Sequence, residues 1–368
     1  MSQELSQDSS TILAVKSWDA IVLGAGIIGV SVARGLGREG MEVLLVERGE
    51  PGREASFAAA GMLAPHSADT PDTLWPFAEA SARLYPSFVK EVESDSGMQV
   101  DLRSQGTIAF LEPHEELISL PCLPELSASQ VAEMEPGLKA PGGRAFFLDE
   151  LSVDARALMA ASLEAARARR IQILTGVTAT GVERTGGRAL QVTTEGERLQ
   201  APIVVNCAGA WAGQVSPHKF PTRPVKGQML AVAAPEGLRL SHVVRAPGVY
   251  VVPRSDGRIL IGATQEEAGF DRSVTTKTIE GLLQAAVGIF PALASARVLE
   301  SWSGLRPGTP DALPILGATG TPGYFVAAGH FRTGFLLAPL TAQAMARVIR
   351  GSEPTVDITR FSPSRFER

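Results

Sequence analysis

The sequence is poor in cysteine, with only Cys122 and Cys207 among 368 residues. Two isolated thiols make neither a metal-ligand spacing nor a disulfide framework, which suits a reducing cytoplasm. Histidine is equally sparse. His66, His218 and His242 show no ligand spacing and read as ordinary loop residues, and His114 as a surface residue. No apolar run reaches the ~18 residues of a membrane span. The N-terminus, MSQELSQDSSTILAVKS, lacks a basic n-region and a long apolar core, so it does not read as a secretion signal. Residues 1–17 are expected to form a disordered tail. The net charge of −5 comes with no basic stripe, which argues against a nucleic-acid partner. Neither repeats nor low-complexity stretches occur.

What is present is an ordinary globular composition, 45% hydrophobic and 20% charged. The length allows a large core and more than one domain. Residues 19–48 read as strand, glycine turn, helix, strand and acidic residue. An apolar run, 20–23, enters Gly24-x-Gly26-x-x-Gly29, and a second run, 43–46, ends at Glu47. Gly24 suits the tight turn, Gly26 lets a pyrophosphate approach the backbone, and Gly29 lets helix and strand pack closely. The helix N-terminus offers N–H groups and partial positive charge to phosphates. Glu47 stands where a carboxylate accepts from ribose hydroxyls. These thirty residues predict a dinucleotide site and leave NAD and FAD open.

Small residues fill Ala55 to Gly61, either bordering the cofactor or packing a helix on a neighbour. A helix is expected over 74–95, with Leu74, Phe77, Leu84, Phe88 and Val92 on one face. Strand-like pattern runs from Val100 to Phe110. Residues 111–145 are rich in Pro, Glu and loops, with Glu133 and Glu135 expected on a solvated face. Ser152 or Asp154 opens a helix over 153–170, whose Arg167, Arg169 and Arg170 suit the dipole's negative end. Short strands follow, with Gly186–Gly187 as a hairpin turn. IVVNCAGAWAG, 203–213, is a buried strand entering a second small-residue loop, so two such loops flank one crevice, as an extended FAD requires. Cys207 reads as a buried small residue. Strands at 224–231, 249–253 and 259–264 and a helix over 276–290 suggest a second, mostly antiparallel sheet domain. The C-terminal part returns to strand, Gly-rich turn and helix at 323–349, with the helix starting near Thr333. Residues 351–368 read as a surface tail.

Seven stretches in order carry a resemblance: GAGIIG with Glu47, ASFAAAGMLAP, NCAGAWAG, PVKGQML, YVVPRSDGRILIGAT, WSGLRPGTPDALPILG and AAGHFRTGFLLAP. Together they resemble the D-amino-acid-oxidase-like flavoproteins, and within them the glycine oxidase group of the thiamine pathway, over about residues 18–350. The resemblance implies an α/β fold. A Rossmann-like FAD-binding domain is expected from discontinuous segments, 18–95, 150–215 and 301–368. An α+β substrate domain with a mostly antiparallel sheet is expected from 96–149 and 216–300.

The resemblance further implies FAD and oxidation of a small amino acid by O₂. Glycine is expected first, then sarcosine or a small D-amino acid, giving imine or glyoxylate, ammonia and H₂O₂ for thiazole formation. Alternatives are a dehydrogenase feeding a quinone or partner chain, and a non-catalytic flavin subunit. The implied cofactor residues are Gly24, Gly26, Ile27, Ile28 and Gly29 at the pyrophosphate, and Glu47 and Arg48 at the ribose. Ala55, Ser56, Ala60, Gly61 and Met62 border the cofactor, as do Ala208, Gly209 and Trp211. Val177 reaches the adenine through its backbone. His330, Phe331, Arg332, Thr333, Gly334, Phe335 and Leu336 border the isoalloxazine. On the substrate side, Arg306 matches the carboxylate-binding arginine, Arg332 a second group and Tyr250 the pocket tyrosine. Gln265 stands where methionine is frequent. With Gly248 and Thr333, it points to a more polar or roomier pocket. No cysteine follows Cys207, so the FAD is expected to be non-covalent. No acid or base is assigned, because the flavin carries the chemistry. A cytoplasmic homotetramer without metal is implied by the family alone.

Overall fold

The computed structural model describes residues 18–67, 70–111, 123–185, 189–196 and 198–366. The expectations for residues 1–17, His114, Cys122 and Gly186–Gly187 lie outside them. A six-stranded sheet runs in the order Ile315–Ala318, Tyr324–Ala328, Ile203–Asn206, Ala20–Leu23, Val43–Glu47 and Gln172–Thr175. All its pairs are parallel except the first. Ala20–Leu23 is buried throughout because both faces are covered, which is why it reads as a continuous apolar run. Val22, Val43 and Leu45 pack on a helical layer. Ile21, Leu44 and Val46 pack on a small antiparallel sheet of Ala179–Arg184, Leu190–Thr194 and Arg198–Ala201.

The helices are α1 (Ile27–Arg38), α2 (Ala55–Ala58), α3 (Trp75–Ser96), α4 (Ala128–Met134), α5 (Ala155–Ala168), α6 (Thr276–Ile289) and α7 (Gly334–Ile349). The Asp154 carboxylate caps α5 by accepting from the Arg156 and Ala157 N–H groups, as the residue type favours. Arg169 ties α5 to α3 through Asp95 at 2.7 Å.

A second, eight-stranded sheet runs Val298–Gly308, Arg223–Ala233, Arg258–Gly262, Val249–Pro253, Val243–Ala246, Thr107–Leu111, Arg144–Leu148 and Glu125–Leu126. Its strands alternate. Leu230 and Val232 face the cluster formed with α6, whereas Met229 and Ala231 face the side shared with Phe57, Ala58 and Ala60. That second face closes over the end of the parallel sheet.

Three expectations change. Residue 301, drawn as the start of a cofactor segment, falls inside Val298–Gly308, which pairs along its length with Arg223–Ala233; its Gly and Pro residues concealed a long edge strand. Glu135 is only 1% exposed rather than solvated. Its carboxylate accepts from the Ser241 N–H at 2.7 Å and the His242 N–H at 2.6 Å, and meets His242 Nδ1 at 2.8 Å. The chain end is more than a surface tail. Phe361 is buried edge-on against Phe77, and Arg365 pairs with Asp311 at 2.8 Å.

Helix α7 contains Pro339, which cannot donate to the Phe335 carbonyl four residues earlier. The buried Tyr85 hydroxyl of α3 donates to that carbonyl instead, at 2.6 Å. The Ser81 hydroxyl fills the next place, donating to Leu336 O at 2.6 Å and accepting from Leu340 N at 3.3 Å. Tyr85→Phe therefore leaves a buried carbonyl unpaired. It should cost roughly 1–3 kcal/mol, read as a lower midpoint in denaturant unfolding; an unchanged midpoint would show that the carbonyl finds another donor.

Candidate active site

A single cavity is lined by the Gly24–Ile28 turn, Glu47, Arg48, Val177, the 208–211 loop, the 327–335 loop, Met229, Tyr250 and Arg306. Its walls come from the C-terminal ends of the parallel strands and from the facing side of the eight-stranded sheet. The small-residue loops let main chain form the wall. Ala58 and Gly304 illustrate the closeness, since a Cβ on Gly304 would collide with the Ala58 methyl.

At one end, Gly24 adopts φ +97°, a left-handed conformation that favours glycine. A Cβ on Gly29 would overlap the Gly24 carbonyl, so Gly29 lets α1 sit on the end of Ala20–Leu23. The α1 N-cap is Gly26, without a side-chain cap. The Ile27 N–H donates to Ser56 Oγ at 3.0 Å. Glu47 Oε2 accepts from the Ala25 N–H at 2.8 Å and Oε1 from the Gly49 N–H at 3.0 Å. The Arg48 guanidinium stacks 3.6 Å from the Trp211 ring centre and pairs with Glu54 at 2.6 Å. Val177 lines the same end and donates its N–H to Glu47 O.

At the other end, Arg306 Nη1 donates to Thr264 O at 3.0 Å. Its guanidinium lies flat on Gly227, where any Cβ would overlap it. Nη1 also lies within a long 3.4 Å bond of Lys226 O, and the guanidinium lines the cavity. The Tyr250 hydroxyl meets Arg306 and lies 3.4 Å from Met229 Sδ. Burial raises the tyrosine pKa, and Arg306 opposes the rise. Arg332 lines the mouth, exposed in part, and desolvation lowers its pKa from the usual guanidinium value. His330 is 3% exposed, and burial pushes its pKa down to about 3. It meets Thr341 Oγ1 at 3.2 Å and is neutral at physiological pH.

Most residues singled out in the sequence therefore border one space, and five do not; one of them, Gly248, is exposed before Val249–Pro253 and outside the lining. Gln265 is exposed and outside the lining, because its neighbours Thr264 and Glu266 turn inward to Gln228. Gly29 packs beneath the turn, Leu336 is buried in the core, and the Thr333 hydroxyl donates to His330 O at 2.9 Å. Gly227, Met229 and Gly304 line the cavity and were not singled out. The alternation of PVKGQML, which puts Gly227 and Met229 on one face, was the available signal.

Comparison with known proteins agrees with this geometry. The profile of the family described as FAD dependent oxidoreductase matches residues 19–348. The chain is 32% identical to a glycine oxidase of Pseudomonas aeruginosa over 94% of this chain and 98% of that protein. It is 35% identical to a bifunctional protein ThiO/ThiG of Synechocystis over 95% of this chain and 54% of the relative, so it spans about half of that protein. The crystal structure of glycine oxidase from Geobacillus kaustophilus superposes with a TM-score of 0.89, at 33% identity, covering 95% of this chain and 99% of that one.

FAD is the group that these relationships imply, and the cavity fits it. A Cβ on Gly26 would meet only Ser56 Oγ at 3.2 Å on a wall where a pyrophosphate needs the backbone bare. Glu47, although used by two N–H groups, keeps lone pairs for a ribose diol. Ala55, Ala59 to Gly61 and Ala208 to Ala210 present small residues beside it.

Two outcomes follow. Glu47→Ala should weaken FAD binding to the apoprotein roughly tenfold or more, measured by quenching of flavin fluorescence; undiminished affinity would remove Glu47 from the site. His330 takes its proton in the unfolded chain near pH 6.5, but in the folded protein only near pH 3. Between these values the unfolded state binds more protons, so stability falls as pH drops below 6.5. His330→Gln should remove roughly 2 kcal/mol of the loss between pH 7 and 5, read by denaturant unfolding at both pH values. An unaltered pH dependence would show that the imidazole is protonated in the fold.

Proposed function

Because this chain belongs to the FAD dependent oxidoreductase family, we propose that it oxidises a small amino acid at the Arg306 end of the cavity. Glycine is the leading substrate and O₂ the acceptor. The balanced reaction converts glycine, O₂ and water to glyoxylate, ammonia and H₂O₂, and the imine formed on the way suits thiazole construction in the thiamine pathway. The observation that carries this reading is the Arg306 guanidinium, fixed on Gly227 and Thr264 O beside Tyr250.

In this reading the six-stranded layer holds FAD without a cysteine link and the eight-stranded sheet presents the substrate groups. Arg306 grips the carboxylate with two parallel hydrogen bonds, which fixes the amino acid in one orientation. Tyr250 supplies a further hydrogen bond. Arg332 adds positive charge at the mouth and draws carboxylates inward. Met229 and Ala60 form an apolar wall that favours a small substrate side chain. FAD, when bound, supplies the two-electron acceptor. His330, neutral and bonded to Thr341, orients the loop rather than moving a proton. An amino acid that binds with a neutral amine needs no side-chain base.

The test is anaerobic addition of glycine, sarcosine, D-alanine and D-proline to the holoenzyme. Loss of the oxidised-flavin absorbance with glycine, and H₂O₂ equal to the glyoxylate on re-aeration, is expected. Reduction without peroxide would favour a dehydrogenase with another acceptor, and no reduction by any of the four would overturn the substrate class. Arg306→Ala should raise KM roughly 10–100-fold while FAD content stays constant; unchanged kinetics would remove Arg306 from the carboxylate site.

A further inference from the structure

A polar cluster joins Arg306 through the strand partner Arg223–Ala233 and the residues that follow Arg258–Gly262. Its centre is the Glu266 carboxylate. Oε1 accepts from Thr264 Oγ1 at 2.5 Å and from Gln228 Nε2 at 2.9 Å, and Oε2 lies 3.7 Å from Lys226 Nζ. Lys226 is only 2% exposed, and its ammonium also meets Asp271 at 2.7 Å. The main chains of Lys226 and Glu266 exchange two hydrogen bonds of 2.9 Å. Burial works against the charge on Glu266, but the hydrogen bonds from Thr264 and Gln228 and the Lys226 ammonium outweigh it. Its pKa stays below the usual carboxylate range.

The cluster has a direct line to the site. Thr264 carries two functions in one residue. Its hydroxyl belongs to Glu266 and accepts from the Gln228 N–H at 2.9 Å, while its carbonyl accepts from Arg306 Nη1 at 3.0 Å. The carbonyl follows the last strand of a hairpin, Arg258–Gly262, where pairing with Arg223–Ala233 continues only irregularly: the Thr264 N–H makes a long 3.4 Å bond to Gln228 O, and residues 226 and 266 form an isolated antiparallel bridge. The side-chain bonds that converge on Glu266 reinforce this weak main-chain contact in setting the direction of the carbonyl. A planar guanidinium binds a carboxylate in parallel only if its plane is correctly aimed, and one edge of that plane rests on this carbonyl.

We propose that Glu266 is a positioning residue for Arg306, aiming the guanidinium at the substrate carboxylate through Thr264. The proposal rests on the reading of Arg306 as the carboxylate site and extends it to a residue that does not line the cavity. The hydrogen bonds from Thr264 and Gln228, with the Lys226 charge behind them, favour Glu266 as an ionised acceptor. Without the carboxylate, the Thr264 hydroxyl and the Gln228 amide lose their shared acceptor, the loop shifts, and Arg306 samples orientations that bind one carboxylate oxygen instead of two.

The experiment titrates oxidised holoenzyme with acetate, a carboxylate that cannot be oxidised at an amine, and follows the flavin absorbance. Wild type, Glu266→Ala, Glu266→Gln, Thr264→Val, Arg306→Ala and the double variant Glu266→Ala/Arg306→Ala are compared, with FAD content measured for each. Glu266→Ala and Thr264→Val should each raise the acetate Kd about tenfold at unchanged FAD content, and Glu266→Gln, which keeps an acceptor for Thr264, should raise it less. In the Arg306→Ala background, Glu266→Ala should add nothing, because the pair acts as one unit. Loss of affinity in Arg306→Ala with none in Glu266→Ala and Thr264→Val overturns the proposal and leaves the Arg306 reading standing. Additive losses also overturn it, since they assign Glu266 a general structural role. Unchanged affinity in Arg306→Ala overturns the Arg306 reading itself. If Glu266→Ala fails to retain FAD, Thr264→Val, alone and combined with Arg306→Ala, decides between the same outcomes.

Discussion

The site begins with a contact that permits no side chain. Helix α1 sits on the end of Ala20–Leu23 because residue 29 is glycine and its α-carbon rests on the Gly24 carbonyl. That contact aims the α1 N-terminus along the open end of the parallel sheet, where the helix dipole favours an anion. It also places the Ala25 N–H within 2.8 Å of Glu47 on the neighbouring strand. Turn, helix start and ribose-side carboxylate thus form one rigid unit, and the small-residue loops at 55–61 and 208–210 are the walls that a cofactor lying on it requires.

The second end depends on a different economy. Arg306 lies on an edge strand of the eight-stranded sheet, and a glycine beneath it lets the guanidinium lie flat. On the cofactor side stands helix α7, whose proline break is repaired by Tyr85 and Ser81 from α3. The 329–333 turn that precedes α7 is joined to the arginine strand by the Phe331 N–H donating to Pro307 O at 3.0 Å. Two sheets with separate cores are therefore registered to each other at the place where substrate and FAD meet in our reading.

Much of this was legible in the chain. Residues 19–48 read directly as strand, turn, helix and strand, because local chemistry alone decides them. The α/β class, the FAD cofactor and the family followed from stretches whose order is informative. What escaped was non-local. Val298–Gly308 carries Gly and Pro in a strand that only its partner Arg223–Ala233 makes regular. Glu135 looked solvated because its three donors come from residues 241–242, far along the chain. Gln265 was singled out by alignment of motifs, yet the one-residue alternation about it turns Thr264 and Glu266 inward instead. The chain end looked like a tail because the Phe77 and Asp311 contacts that bury it are invisible from its own sequence.

The most direct measurement is an experimental structure of the oxidised holoenzyme with glycolate bound. The account places the adenosine beside Glu47 and Val177, the pyrophosphate at Gly26 to Ile28, and the glycolate carboxylate bidentate on Arg306 with Tyr250 at its edge. A carboxylate bound elsewhere, with the Arg306 guanidinium engaged only with protein groups, would contradict it.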